Sequence, residues 1–198
     1  MKKFLPFLLV ACSGVAWGQM GEVWFDAGES ILQNSSLGTT NALGSPNDFQ
    51  LDNGFRFGFR ADFNTQGIFG HEIQYAYSRT ALQENQPTPA KQGMAIHEGG
   101  YNFLVYATKE GTRIRPFGTA GVQFENFVPP GSSAASGGGN TKYGFNYGGG
   151  VKVRLTSMFA VRLDLRQYTS GKPFGSEFLQ QSGWFRQNEI SAGFGIYF

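Results

Sequence analysis

Between residues 51 and 63 the chain alternates with a period of two. Phe55, Phe57, Phe59, Ala61 and Phe63 share one parity, and Arg56, Gly58, Arg60 and Asp62 share the other. Successive side chains of a β-strand point to opposite faces, so this pattern predicts a strand with one apolar and one polar face. Residues 141–155 repeat it, with Tyr143, Phe145, Tyr147, Val151, Val153 and Leu155 against Lys142, Asn146, Lys152 and Arg154. Residues 159–168 set Phe159, Val161, Leu163 and Leu165 against Arg162, Asp164 and Arg166. Ile73, Tyr75 and Tyr77 oppose Glu72, Gln74 and Ser78, and Tyr101, Phe103 and Val105 oppose Asn102, Leu104 and Tyr106. Residues 113–127 form a fainter strand with Ile114, Pro116, Val122 and Phe124 outward. A short first strand carries Val23, Phe25 and Ala27 against Trp24 and Asp26, and the last, 184–198, places Ile190, Ala192, Phe194, Ile196 and Phe198 on one face. Eight strands are expected.

The connections sort by length. Long ones cover 30–50, 81–93, 128–140 and 170–183, and are rich in Gly, Ser, Asn, Pro and Gln. Short ones cover 64–67, 109–112 and 156–158. Strict alternation of long and short gathers the long loops at one end and both termini at the other. A soluble sandwich has no reason to sort its loops this way, whereas a bacterial outer-membrane barrel has short periplasmic turns and longer extracellular loops. Tyr77, Tyr101, Tyr143, Tyr147 and Trp184 fall where interfacial aromatic girdles are expected.

Composition fits a closed barrel. Charged residues are 15% of the 198 and aromatics 16%, with 29 Gly and 20 Phe. An ordinary soluble domain carries about 25% charge. No run of about 18 apolar residues follows the N-terminal segment, so a bilayer can be crossed only by strands whose backbone groups are all paired with one another. The N-terminus reads as an export signal over residues 1–18: basic Lys2 and Lys3, an apolar stretch from Phe4 to Ala11, and Ala16-Trp17-Gly18 for cleavage. Leu9-Val10-Ala11-Cys12 allows a second reading, lipidation at Cys12. Residues 19–198 then form the barrel domain. Cys12 is the single cysteine, so the mature chain has neither disulfides nor thiolate ligands. Leaving out Lys2 and Lys3 reduces the 16 basic side chains to 14, equal to the 14 acidic ones, and no basic stripe argues for nucleic acid.

The inward parity gathers Asp26, Arg56, Arg60, Asp62, Glu72, Arg115, Lys152, Arg154, Arg162, Asp164, Arg166 and Glu189, with Glu98 and Glu125 alongside. Eight strands enclose a lumen just wide enough for side chains to fill. Buried charges there must pair or cost several kcal/mol each, in round terms. The expectation is an Arg/Lys–Asp/Glu network filling the lumen rather than a catalytic carboxylate pair. Inward Gly58, Gly144, Gly148, Gly150, Gly193 and Gly195 leave room for a narrow water path. His71 and His97 are the two histidines; both have outward parity, too few and too far from a serine–acid pair for hydrolysis, and too few for zinc. No catalytic, metal or cofactor residues are assigned. In the fourth long loop Phe174, Phe178 and Leu179 are candidate contacts with a ligand or surface, or else pack on the barrel rim.

Three segments carry a family resemblance: Arg115-Pro116-Phe117-Gly118-Thr119-Ala120-Gly121-Val122, Phe159-Ala160-Val161-Arg162-Leu163-Asp164-Leu165-Arg166, and Ile190-Ser191-Ala192-Gly193-Phe194-Gly195-Ile196-Tyr197-Phe198. On these the chain resembles the small outer-membrane β-barrel proteins of the OmpA/OmpX type. The resemblance implies an all-β, eight-stranded antiparallel up-and-down barrel in the outer membrane of a Gram-negative-type bacterium, with periplasmic termini and extracellular long loops. It implies that Phe194, Ile196 and Phe198 form the signal read by the barrel-assembly machinery, although Ile196 stands where the family often has Tyr. The expected partners are outer-membrane lipids, the assembly machinery during biogenesis, and an extracellular ligand or surface. A monomer is expected. The role is read as structural or surface-interacting through the four long loops, without catalysis. A narrow or gated channel is the alternative, and a lipid-modifying enzyme is less favoured.

Overall fold

The computed structural model describes residues 20–41, 43–45, 47–65, 67–85, 88–175 and 183–198. The candidate signal at 1–18, with Cys12, lies outside the described residues, as do Phe178 and Leu179. Ten strands follow in order: β1 (Met20–Gln33), β2 (Ser36–Gly38), β3 (Phe49–Leu51), β4 (Gly54–Asn64), β5 (Phe69–Glu84), β6 (Ala90–Tyr106), β7 (Ile114–Val128), β8 (Asn140–Arg154), β9 (Phe159–Gly171) and β10 (Trp184–Tyr197). Among the described residues no helix is long and apolar enough to cross a membrane.

Eight of these strands, β1 and β4 to β10, close an antiparallel barrel in which each pairs with its neighbours along the chain. β1 and β10 seal the cylinder, from Glu22 opposite Tyr197 to Gln33 opposite Arg186. The seal continues at its lower edge, where Gly21 N–H donates to Phe198 O at 3.1 Å and Phe198 N–H donates to Gly21 O at 3.0 Å. Closure leaves no unpaired edge, which is what an apolar bilayer demands of a sheet.

The alternation written in the sequence becomes an outer apolar belt and an inner polar lumen. Phe55, Phe57, Ile73, Tyr101, Phe103, Val122, Leu163, Leu165 and Ile190 are exposed on the outside, while Arg56, Arg60, Glu72 and Arg162 are buried inside. Near the long-loop end the phase inverts. Leu32, Met94, Ile96, Phe127 and Phe185 point inward and are buried, and Glu29, Arg79, Asn126 and Arg186 take the outward positions. Below this level the barrel has a polar inside and an apolar outside, as a bilayer requires. Above it the barrel has an ordinary apolar core. The inversion marks one boundary of the membrane belt.

The strand count matches the sequence pattern, but two boundaries differ. The first strand is not confined to Val23–Ala27: it runs on through Glu29, Ser30 and Leu32 to Gln33. Those residues lie above the inversion, where outward polar side chains break the apolar parity that located the other strands. The segment 81–93 is for the most part strand, leaving residues 85–89 as the connection between β5 and β6. The stretch 30–50 contains β2 and β3, and β3 adds to the upper end of β5 with Phe49 opposite Glu84. β2, β3, β5 and β6 therefore form a small sheet standing above the barrel.

Candidate functional site

The lumen is built in layers. At the short-turn end Trp24 packs with Ala160 and Tyr197, and Leu104 with Tyr106 and Phe117. Every one of these has inward parity on a barrel strand, and together they form a lower apolar layer. Glu22 lies within it. The Trp24 indole N–H donates to Glu22 Oε2 at 2.8 Å, and Asn64 and Lys152 also donate to this carboxylate. Lys152 Nζ reaches on to Asp62 Oδ2 at 2.6 Å and to the Tyr106 hydroxyl at 2.7 Å.

Arginines occupy the middle. Arg162 reaches Asp164 at 2.6 Å, Glu72 at 2.7 Å and Asp62 at 3.0 Å. Arg166 pairs with Glu72 at 2.6 Å and with Asp164 at 2.9 Å. Arg60 pairs with Glu189 at 2.5 Å and Asp26 at 3.0 Å. Arg56 pairs with Glu98 and stands 3.4 Å from Glu189, with its guanidinium 4.7 Å from the centre of the Tyr168 ring. The Tyr168 hydroxyl donates to Glu189 Oε2 at 2.5 Å. Glu125 accepts from Ser170 and, at 3.0 Å, from Gln123 Nε2. Such dense pairing is the condition under which buried charge is tolerated, because each ion left unpaired costs several kcal/mol, as an order of magnitude.

Above lies the upper apolar layer: Leu32, Met94, Ile96, Phe127 and Phe185 from the barrel strands, with Leu37, Leu51 and Phe174 from the loop end. Phe127 and Phe185 meet edge to face at 5.3 Å. Phe174 is 5% exposed and adopts a left-handed backbone (φ 59°), so this loop residue turns into the layer instead of presenting itself to solvent. Lys172 latches the same loop, donating to Ser36 O at 2.7 Å, and partial burial lowers its amine below the ordinary lysine range.

The structure thus brings Asp26, Arg56, Arg60, Asp62, Glu72, Lys152, Arg162, Asp164, Arg166 and Glu189 into one buried network. Arg115 joins this network at the short-turn end, 3.8 Å from Glu22, and Arg154 stands at the rim. Both face Glu110, at 2.7 and 3.4 Å, and Arg154 keeps some exposure. Sequence reasoning passed over Glu22, although it has the parity of Trp24 and Asp26, because the alternation places the start of the first strand at Val23, three residues after its true start at Met20. It also passed over Tyr106, Tyr168, Asn64 and Gln74, which carry no formal charge but complete the hydrogen bonding. Two of the inward glycines are closely flanked by side chains. A Cβ at Gly58 would meet the Asp26 carboxylate, and one at Gly195 would meet the Trp24 ring. Their missing side chains make room for neighbours that fill it.

Phe194 and Phe198 are exposed on the outer face, with Ile196 half-buried between them. Both histidines lie on that outer face. His71 Nδ1 is 2.5 Å from the Tyr101 hydroxyl, and His97 Nδ1 is 2.7 Å from the Tyr75 hydroxyl. Among the described residues no group of three His, Cys, Asp or Glu is placed to hold a metal ion.

Comparison with known proteins agrees with this architecture. The model of the family described as "Outer membrane protein beta-barrel domain" matches residues 8–198. No curated protein sequence matches the chain. Among solved structures, Neisserial surface protein A (NspA) is similar at a TM-score of 0.59 and 15% identity, over 92% of this chain and 98% of that one. OprG from Pseudomonas aeruginosa gives 0.58 and 13%, over 90% and 96%. Ail, the attachment invasion locus protein of Yersinia pestis, gives 0.55 and 12%, over 92% and 100%. At these identities the likeness speaks for the fold, and the family match covers nearly the whole sequence: the chain belongs to the outer membrane protein beta-barrel domain family.

Proposed function

We propose that the protein is a closed, non-catalytic scaffold of the bacterial outer membrane, oriented with periplasmic termini and extracellular loops, whose work is done at its loop end. The observation that carries this reading is the filled lumen: an ion-pair network between two apolar layers, the upper one completed by Leu37 and Phe174 from the loops. A conduit would need open space along the axis, whereas ion pairs occupy the middle of the lumen and the upper layer is apolar. Two features support a surface role. The β2–β3–β5–β6 sheet projects above the barrel as a rigid platform. On its β6 margin the ladder to β7 begins only at Ala95, so residues 90–94 offer an open strand edge. Exposed edges can pair with an extended partner segment, and rigid scaffolds commonly recognise ligands through such protruding parts. The reading also includes export, with cleavage after Gly18.

The test replaces the projecting parts, residues 34–53 and 81–93, with short turns in cells that carry the protein. Surface amounts of the shortened barrel should be unchanged while adhesion of the cells to coated surfaces falls. Adhesion equal to that of the full-length protein would sink the loop-end role.

A further inference from the structure

The outer wall carries a groove across β5 to β8. Tyr75, Gly99, Phe124 and Tyr143 stand in one outward row. Gly99 leaves a gap in that row, over which the Phe124 ring leans; a Cβ at Gly99 would lie 2.5 Å from it. Together with Ile73 and Val122 in the row below, this makes an apolar hollow of about 700 Å³. Directly above, sharing Phe124 and Tyr143, is a second hollow of about 590 Å³ whose lining adds polar groups, His97, Asn126 and Thr141, to Ala134 and the backbone of residues 137–139. Asn126 donates to Thr141 Oγ1 at 2.8 Å, while its buried Oδ1 accepts no hydrogen bond among the described residues. Arg79 lines the next hollow along the rim, one outward position beyond Tyr77, whose ring meets that of His97 at 5.2 Å. Among the described residues no carboxylate stands within ion-pair distance of Arg79.

The two hollows straddle the level at which the outer face turns from apolar to polar. Phe124 gives way to Asn126 there, Leu165 to Gln167 and Ala27 to Glu29. The lower hollow therefore sits at the depth of acyl chains and the upper one at the depth of headgroups. Each lies within the roughly 300–1,000 Å³ of ordinary ligand pockets. We propose that this groove is a binding site for one anionic membrane lipid. Its acyl chain lies over Gly99, and its headgroup phosphate accepts from the Thr141 hydroxyl, which Asn126 positions, and takes Arg79 as counter-charge. The proposal stands whether or not the lumen conducts.

The test is native mass spectrometry of the full barrel, released from micelles that contain equal amounts of phosphatidylglycerol and phosphatidylcholine. One retained phosphatidylglycerol is expected, in about fivefold excess over phosphatidylcholine, the order that a single arginine beside an anionic headgroup supplies. Val122→Trp fills the lower hollow from an exposed position and should abolish retention of both lipids. Gly99→Ile fills it from β6 and is the second filler should the first not fold, as judged by heat-modifiable mobility. Arg79→Gln should bring phosphatidylglycerol down to the phosphatidylcholine level. No discrete lipid on the wild type, unchanged retention in a folded filled variant, or unchanged preference in Arg79→Gln would overturn the proposal. So would a dimer that the filling substitution dissociates, since a second copy would then be the occupant.

Discussion

Arg162 reaches three carboxylates from one guanidinium, all of them buried. Removing it leaves Asp62, Glu72 and Asp164 short of positive charge in a buried lumen. Arg162→Met is therefore expected to destabilise the barrel by about 3–5 kcal/mol, the usual cost of breaking a buried pair from one side. The contrast is Lys91–Asp52, whose side chains are 64% and 30% exposed. Asp52→Asn should cost less than about 1 kcal/mol, as exposed pairs do. Urea unfolding of the two variants in lipid vesicles measures both, and equal losses would mean that the lumen pairs are no more than surface pairs. At this scale the sequence was informative about which side chains point inward, because parity alone decides that. It was silent on partners. Arg162 and Glu72 lie ninety residues apart, and their meeting depends on strand stagger around the closed cylinder, which no local pattern encodes. Neutral members such as Tyr168 were passed over for another reason: parity turns the ring inward with Arg166, but no formal charge marks it as a member of an ion-pair network.

At the scale of the element, a strand here is two segments in opposite phase. β10 shows it within its first seven residues, where Phe185 is buried and Arg186 exposed above, and Glu189 is buried and Ile190 exposed below. The element pattern was legible wherever one phase runs long, as in β4 and β9. It failed at the phase change, so β1 read as five residues instead of fourteen, and the upper ends of β5 and β6, residues 81–84 and 90–93, read as loop. The upper segments should behave as the core of a water-soluble protein. Phe185→Ala is expected to cost about 3–5 kcal/mol, the ordinary loss for a large buried aromatic. Exposed Phe57, between Ala27 and Tyr77, should be cheaper to replace by Leu than by Asp, because lipid and not protein surrounds it. Unfolding in vesicles checks both, and a Phe185→Ala variant as stable as wild type would show that no packed core exists above the belt.

For the whole molecule, one closed cylinder carries an apolar outer belt and a charged lumen. Closure between β1 and β10 pairs the backbone, and ion pairs gather the buried charges in the middle, with apolar clusters towards either end. The class of fold and the number of strands followed from repetition along the chain, even though each strand alone was ambiguous. Whether the lumen was filled or passable did not follow, since the same inward glycines suit a water path or a closely packed neighbour. The structure places neighbours there, with Asp26 against Gly58 and Trp24 against Gly195. The most direct measurement of the resulting claim is current across a planar bilayer that holds the refolded full-length barrel. A lumen filled by ion pairs and capped by apolar layers predicts no unitary current steps at any applied voltage. Discrete steps of reproducible amplitude, absent from bilayers without the protein, would contradict it.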